Sequence, residues 1–375
     1  PPPPPPPRPP PFFFPPHARI PDPLWSRGLG DVYKRQGQNQ PPEDLGAIIA
    51  ADLYRSGQFN TLPVNDFLSR PSDEKQIKYK DWRLIKADNL VIGRVTQLGS
   101  DRYAVRFQLF DVNRQKQLIG HRWEISTQKF RKKAHQISDL IYKKLTGHPG
   151  AFDSRIAYVT EFQAANLKKE YKLMVADADG HNEKEILKSS DPIISPAWSG
   201  DGKWLAYVSF ENVGGTTRSR IFIQNVVTGK RARLANKQLA KFQGINGAPA
   251  WSPDDKYIAM TLSRGRNSDI YLMNMASKAL RQVTEHYAMD TEPAWSPDGR
   301  HLVFTSDRAG RPQIYRVPVS GGRAERLNIE GKENARASYD PSGKHLTLVT
   351  LSLIHISEPT RPERIAGGGV GGEKK

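Results

Sequence analysis

The chain has 375 residues, no cysteine, and 56 Lys and Arg against 39 Asp and Glu, a formal net charge of +17. Without cysteine there is no disulfide and no thiolate metal site, and no run of 18 apolar residues exists to cross a membrane as a helix. The basic excess suits an acidic partner or an anionic membrane surface, but it is scattered through polar turns and lacks the interleaved aromatic stripe of a nucleic-acid groove, so no nucleic acid is expected as a ligand.

The two ends read differently from the middle. Residues 26–36 (SRGLGDVYKRQ) and 351–361 (LSLIHISEPTR) can be encoded by DNA segments that are reverse complements of each other, codon for codon. They resemble the translated transposon-end tag of a sequencing-library adapter. The Pro/Phe-rich run before them and the Gly-rich run after them carry no periodicity, so 1–36 and 351–375 are expected to be adapter-derived flanks outside the fold. These flanks hold 16 of the 30 prolines and four of the 17 net positive charges, leaving +13 for 37–350.

Residues 37–150 predict an α+β domain. Leu45, Ile48, Ile49 and Leu53 recur at helical spacing over 42–56, after an acidic first turn at Glu43-Asp44 and before Gly57. A shorter helix is expected around Trp82 and Ile85. Three strand-like runs follow, Leu90–Gln97, Tyr103–Asp111 and Gln117–Ile125, joined by short polar turns that suit an antiparallel meander. The middle run alternates, with Tyr103, Val105, Phe107 and Leu109 on one face and Ala104, Arg106 and Gln108 on the other. A helix over 128–146 aligns Phe130, Ala134, Ile137, Ile141 and Leu145, with Gly147 as C-cap and Pro149 as breaker.

Residues 151–350 predict a β-propeller. Pro196-Ala197-Trp198-Ser199-Gly200-Asp201-Gly202-Lys203 returns as Pro249 to Lys256 and as Pro293 to Arg300, and in degenerate form as Ala337 to Lys344. The aromatic positions 198, 251, 295 and 339 are 53, 44 and 44 residues apart, the period of one four-stranded blade. Within each repeat a Pro-Asp-Gly turn leads into an apolar strand such as Trp204–Val208 or Tyr257–Met260, then a second strand, then a polar third. Ile156–Val159 and Lys172–Val175 mark an earlier blade without the Trp, so about four and a half blades are expected. Each repeat aromatic is expected to pack between blades.

Catalytic signatures do not emerge. There is no phosphate-binding Gly-x-x-x-x-Gly-Lys loop and no Gly-x-Ser-x-Gly nucleophile elbow, and the histidines occur singly. Asp177-Ala178-Asp179-Gly180 has a calcium-loop flavour but lacks a downstream bidentate Glu, so a hairpin turn is the expectation there. No catalytic residue, cofactor or metal is expected. Side chains that converge in a propeller channel from distant repeats would escape this kind of reading.

The repeat Pro-Ala-Trp-Ser-Pro-Asp-Gly-Arg followed by Leu-Val-Phe-Thr-Ser-Asp resembles the WD40-like propeller repeat of the TolB family. So do Asn246–Ala250, Asp290–Pro293, Thr305–Tyr315 and Arg155–Val159, and Glu43–Leu53 and Lys143–Gly147 in the first domain. The resemblance covers nearly all of 37–350. It implies a six-bladed propeller behind an α/β domain, in a periplasmic adaptor of the Tol–Pal system that maintains outer-membrane integrity during constriction. It further implies the lipoprotein Pal as partner at the channel mouth, TolA as partner through an N-terminal tail, and colicins as opportunistic ligands. That tail would lie upstream of Gly37, and the sixth blade beyond Thr350. The loops before each Pro-Ala-Trp then become the candidate Pal-binding rim: Ser195, Asn246, Ala248, Asp290, Thr291 and Glu292. Ile245 stands where the family can carry a polar His. Two other classes remain open, the propeller gate of a prolyl-oligopeptidase-type peptidase and a polysaccharide-active propeller enzyme with a metal cluster in its channel.

Overall fold

The computed structural model describes residues 43–62, 64–163, 169–213, 215–234, 244–264 and 267–351. Apart from Leu351, the flanks read as adapter sequence lie outside them. Two compact units result: the first runs through Ile156 and includes Ala176–Glu183, and the second comprises Ala157–Val175 and Lys184 onward.

In the first unit, α1 (Leu45–Arg55) starts where Asp44 Oδ1 accepts the N–H groups of Gly46 and Ala47 at 2.8 and 3.1 Å, satisfying two donors that the first turn leaves unpaired. The short α2 (Tyr79–Leu84) buries Trp82 and stops just before Ile85. Strands β1 (Asn89–Gly99), β2 (Arg102–Asp111) and β3 (Lys116–Ser126) form the expected antiparallel meander. Helix α3 (Phe130–Thr146) ends at Gly147, whose φ of +80° suits glycine and whose N–H reaches Lys143 O. Leu45, Ile49 and Leu53 of α1 and Phe130, Ile137 and Ile141 of α3 pack with Tyr103, Val105, Phe107 and Leu109 in one core.

The second face of β2 departs from the simple alternation, because Ala104 and Gln108 are buried too. The Gln108 amide donates to Gln117 at 2.6 Å, and Arg106 sits 3.7 Å from Asp73 in the connection before α2. A smaller core of Trp82, Leu90, Ile92, Phe110 and Val112 forms under that connection. The amphipathic pattern finds the helices but not this irregular segment, which covers the sheet's other face.

The second unit is built of consecutive antiparallel sheets. Strands β4 (Arg155–Gln163), β5 (Lys169–Asp177) and β6 (Lys184–Ser189) make three-stranded sheet one. Three four-stranded sheets follow: β7 (Ile193–Trp198) to β10 (Arg231–Arg233), β11 (Asn246–Trp251) to β14 (Leu280–Gln282), and β15 (Asp290–Trp295) to β18 (Glu325–Arg326). Strands β19 (Glu333–Tyr339) and β20 (Leu346–Leu351) close the series as a pair. The described blades are thus three complete ones, flanked by a first sheet with no inner strand and a last with only its first two.

Each hydrophobic cluster of this unit lies between neighbouring sheets. Ala206 and Val208 of β8 (Trp204–Val213) meet Ile258, Met260 and Leu262 of β12 (Tyr257–Arg264), while Leu205 and Tyr207 point the other way to Leu173 and Val175 of β5. Period-two alternation on a strand covered on both sides gives a continuous apolar run, which is why these strands look unbroken in the sequence. The repeat aromatics join the same interfaces, and Trp295 Nε1 donates to Ala250 O of the preceding blade at 3.0 Å.

The Ser-x-Asp-x turns are one device used three times. Ser199, Ser252 and Ser296 hydroxyls each donate to the Asp two residues on, at 2.7, 2.7 and 2.5 Å, and accept the N–H of the residue opening the next strand at 2.9 Å. Ser252-Pro253-Asp254-Asp255 has Asp where the other turns have Gly, at φ +59°. Its side chain offsets that conformation by accepting the N–H groups of Gly200 and Asp201 in the preceding blade's turn at 2.5 and 2.8 Å.

The outermost sheets end on apolar strands, with Ile156 and Phe162 on β4 and Val349 and Leu351 on β20 all among the exposed large hydrophobics. Such edges are templates for pairing with another chain. The purified chain should therefore self-associate with rising concentration in light-scattering-coupled size exclusion. A monomer at every concentration would show that these edges are covered in solution.

Candidate functional site

The inner strands β7, β11, β15 and β19 lie beside one another in succession. Each carries the same irregularity. Between Ile194 and Ala197, Gly247 and Ala250, Thr291 and Ala294, and Ala335 and Ser338, two residues face one on the neighbouring strand. These are β-bulges, devices that re-aim side chains and sharpen twist. The first bulged residue is left-handed in every case: Ser195 φ +53°, Ala248 +45°, Glu292 +55° and Arg336 +55°. None is glycine, so each costs about 1–2 kcal/mol, and three precede a proline, where an extended conformation is the norm.

The preceding blade supports the bulge. The Glu292 N–H donates to Thr261 Oγ1 at 3.2 Å, and the Arg336 N–H donates to Thr305 Oγ1 at 3.0 Å. Thr261 and Thr305 hold equivalent register positions on their strands, opposite Gly247 and Thr291. Val208 occupies the same position in the blade before β11 and has no hydroxyl to offer.

The six candidate rim residues separate into two groups. Ser195, Ala248, Thr291 and Glu292 are partly exposed at or beside the bulges. Asn246 and Asp290 are buried at the strand starts. The Asn246 N–H donates to Ser219 Oγ at 2.9 Å, and its amide nitrogen donates to Ser219 O at 3.1 Å, fastening β11 to the blade before it. Asn334, at the same position in β19, also reaches the preceding blade, its amide nitrogen donating to the Gln313 side-chain oxygen at 3.0 Å. Asp290 instead receives Arg308 through two bonds, 3.2 Å from Nε and 2.5 Å from Nη2. Asn246 and Asp290 are therefore buried residues whose side chains are taken up in holding β11 and β15.

Other groups at this edge went unnoticed in the sequence. Glu292 accepts from Arg336 Nε at 2.7 Å and from Thr305 Oγ1 at 3.1 Å, forming an ion pair that spans two blades. The 44-residue spacing of Glu292 and Arg336 follows the repeat and was available as a signal. Exposed Ile194, Ile245 and Met289 stand next to these positions, so the edge mixes apolar and charged groups. Asp269 is buried in the register row of Asn246 and Leu262, and accepts the His286 N–H at 3.2 Å and the Gln282 amide at 3.3 Å. Burial pushes its pKa up to about 6; the His286 N–H opposes this, and the charge of Asp290 adds to it.

The chain matches two family models, the TolB amino-terminal domain over residues 31–118 and the TolB beta propeller domain over 142–358. It is 52% identical over 216 residues to a Tol-Pal system protein TolB of Nitrosococcus oceani, covering 58% of this chain and 48% of that protein. A protein of the same name from Alcanivorax borkumensis is 44% identical over 233 residues, 62% of this chain and 51% of the relative. The chain thus spans about half the length of these relatives. The crystal structure of TolB from Acinetobacter baumannii is 37% identical and superimposes with a TM-score of 0.74 over 85% of this chain and 76% of the other.

Replacing Ala248 by Gly should raise stability by up to about 1 kcal/mol, since relief of the left-handed conformation outweighs the added unfolded-state entropy. Ala248→Val should lower it by roughly 1–3 kcal/mol, a β-branched residue being least suited to that region. Urea titrations of the two variants decide this, and equal stabilities would refute the bulge assignment. Asp269 supplies a pH test. Above its ordinary value of 3.8 and up to about 6, the folded chain retains a proton that the unfolded chain has released, so stability from this group falls as pH rises. Asp269→Asn should therefore gain stability relative to the parent on moving from pH about 4.5 to about 7. A pH-independent difference would mean that the carboxyl titrates normally.

Proposed function

This chain belongs to the TolB family, and from that premise we propose that it is a periplasmic adaptor of the Tol–Pal system that binds the lipoprotein Pal at the bulged edge of its inner strands. The observation that carries the reading is the bulge itself. Four successive inner strands keep a strained non-glycine residue at the same register position, and bulges and strained residues cluster at ligand-binding sites. Ser195, Ala248, Thr291 and Glu292 are the direct contacts in this reading. Asn246 and Asp290 keep the edge in register from beneath. Small residues permit close approach of a partner's loop, and the Glu292–Arg336 pair offers charge of both signs at the rim.

Binding rather than catalysis is the activity proposed. TolA, reached through a segment N-terminal to Gly37, and colicins belong to the same reading, as does a role in outer-membrane integrity during constriction. Among the described residues no helix is long and apolar enough to cross a membrane.

Titration of the chain with the soluble domain of Pal tests the proposal. Glu292→Gln keeps the side-chain shape and removes the charge, and should weaken binding about 5- to 10-fold, mainly through slower association with reduced salt dependence. Arg300→Ala, in an exposed Pro-Asp-Gly turn at the other end of an inner strand, should bind as the parent does. Absence of binding by the parent chain, or equal effects of the two variants, would place the partner surface elsewhere.

A further inference from the structure

A second constellation lies in the first unit. His135 of α3 is 2% exposed, and its Nδ1 lies 2.7 Å from Oδ2 of Asp52, a fully buried residue of α1. The same oxygen accepts the Ser138 hydroxyl at 2.8 Å, and Arg55 pairs with the other. A carboxylate so placed fixes the proton on Nδ1 and leaves the Nε2 lone pair free to act as a ligand, the arrangement that second-shell carboxylates impose on metal-binding histidines. His135 Nε2 is buried and makes no hydrogen bond.

The free nitrogen faces the hairpin tip between β5 and β6. There Asp177-Ala178-Asp179-Gly180 forms the expected turn, with the Gly180 N–H on Asp177 O at 2.8 Å and Gly180 at φ +84°. Asp177 closes β5 and Asp179 sits in the turn itself, and the tight reversal brings their carboxylates near each other. The ligand atoms of His135, Asp177 and Asp179 all lie within 4.8 Å of one another, and Nε2 is 3.7 Å from Asp179 Oδ2. That is beyond hydrogen-bond range but near the separation of about 3.4 Å that two donors have around a tetrahedral ion with bonds of about 2.1 Å.

Charge supplies an independent argument. Glu43, Asp52, Asp177 and Asp179 bring four negative charges to this cluster, while Arg55 and Arg131 bring two positive ones, Arg131 bridging Glu43 and Asp179. Counted over these groups with His135 as a neutral ligand, the cluster carries two negative charges in excess. The donor set names its class. One imidazole with two carboxylates suits zinc and similar transition ions, whereas calcium takes six to eight oxygens.

We propose that His135 Nε2, Asp177 and Asp179 bind a divalent ion of the zinc class that clips the hairpin tip Ala176–Glu183 to α3. Asp52 orients the imidazole, and Arg131 holds Asp179 in place as an outer partner. The site is independent of the Pal surface, and its test does not touch that reading.

The full chain, stripped with a chelator, is titrated calorimetrically with zinc chloride and in parallel with calcium chloride. Zinc should bind at one equivalent and raise the melting temperature, with no comparable response to calcium. Asp177→Asn, a change on a partly exposed turn residue, should weaken zinc binding at least tenfold while the melting temperature of the metal-free protein stays within a degree or so of the parent. Cobalt(II) should give the visible bands of a tetrahedral site in the parent and lose them in Asp177→Asn, a readout that does not depend on whether the buried variant His135→Gln folds. Absence of zinc binding, equal binding by the Asp177→Asn variant, or a preference for calcium would overturn the proposal.

Discussion

No blade of this chain can bury its own faces. A four-stranded sheet with apolar residues on both sides is stable only between two others, and every large cluster in the second unit straddles two sheets. The rest follows from that dependence. Tyr207 and Met260 hold equivalent positions, and each is fully buried because the preceding blade covers it. The polar links obey the same geometry: Asn246 to Ser219, Asn334 to Gln313, Trp295 to Ala250 and Asp255 to the turn before it all join one blade to its predecessor. Hydrogen bonds of this kind each add about 0.5–1.5 kcal/mol, less than the buried apolar area does, but they set the register at which sheets stack.

Much of this was legible in the sequence because it is periodic. The 44-residue return of Pro-Ala-Trp located the inner strands, and helical spacing located α1 and α3 within a few residues. The losses came where physics is not periodic. The irregular connection between α1 and β1 shows no extended amphipathic pattern, yet it packs on Leu90, Ile92, Phe110 and Val112, while Gln108 is buried and bonded to Gln117 of β3. The first sheet lacks the Pro-Ala-Trp signal in the sequence, and among the described residues it lacks the inner strand that the signal marks elsewhere.

The candidate rim was legible by position but not by role. Asn246 and Ala248 are two residues apart and look interchangeable as polar and small loop residues. In the fold one is a buried staple and the other a strained bulge, a difference set by a single extra residue in the inner strand. Backbone conformation is the hidden variable here. Ser, Ala, Glu and Arg share no side-chain chemistry that would announce a left-handed φ, and glycine, the residue that would have announced it, is absent from all four positions. Glycine would relax the bulge and remove the side chain from the rim. Its absence is consistent with side chains being useful there.

The cluster around His135 shows the opposite failure. Its members come from α1, α3 and a hairpin more than 40 residues further on, so no local spacing reveals them. The Asp-Ala-Asp-Gly turn was read as a turn, and it is one; what the chain cannot display in one dimension is that an imidazole with its proton fixed on the far nitrogen points at it. A turn and a ligand pair are not competing descriptions. The hairpin needs Gly180 for its geometry, and that geometry is what brings two carboxylates side by side. Where a turn carboxylate such as that of Asp179 is buried against a basic helix rather than left in water, desolvation makes its charge costly, and the fold must supply a counter-charge. Arg131 supplies one such charge, and the surplus that remains is the physical reason to look for a second.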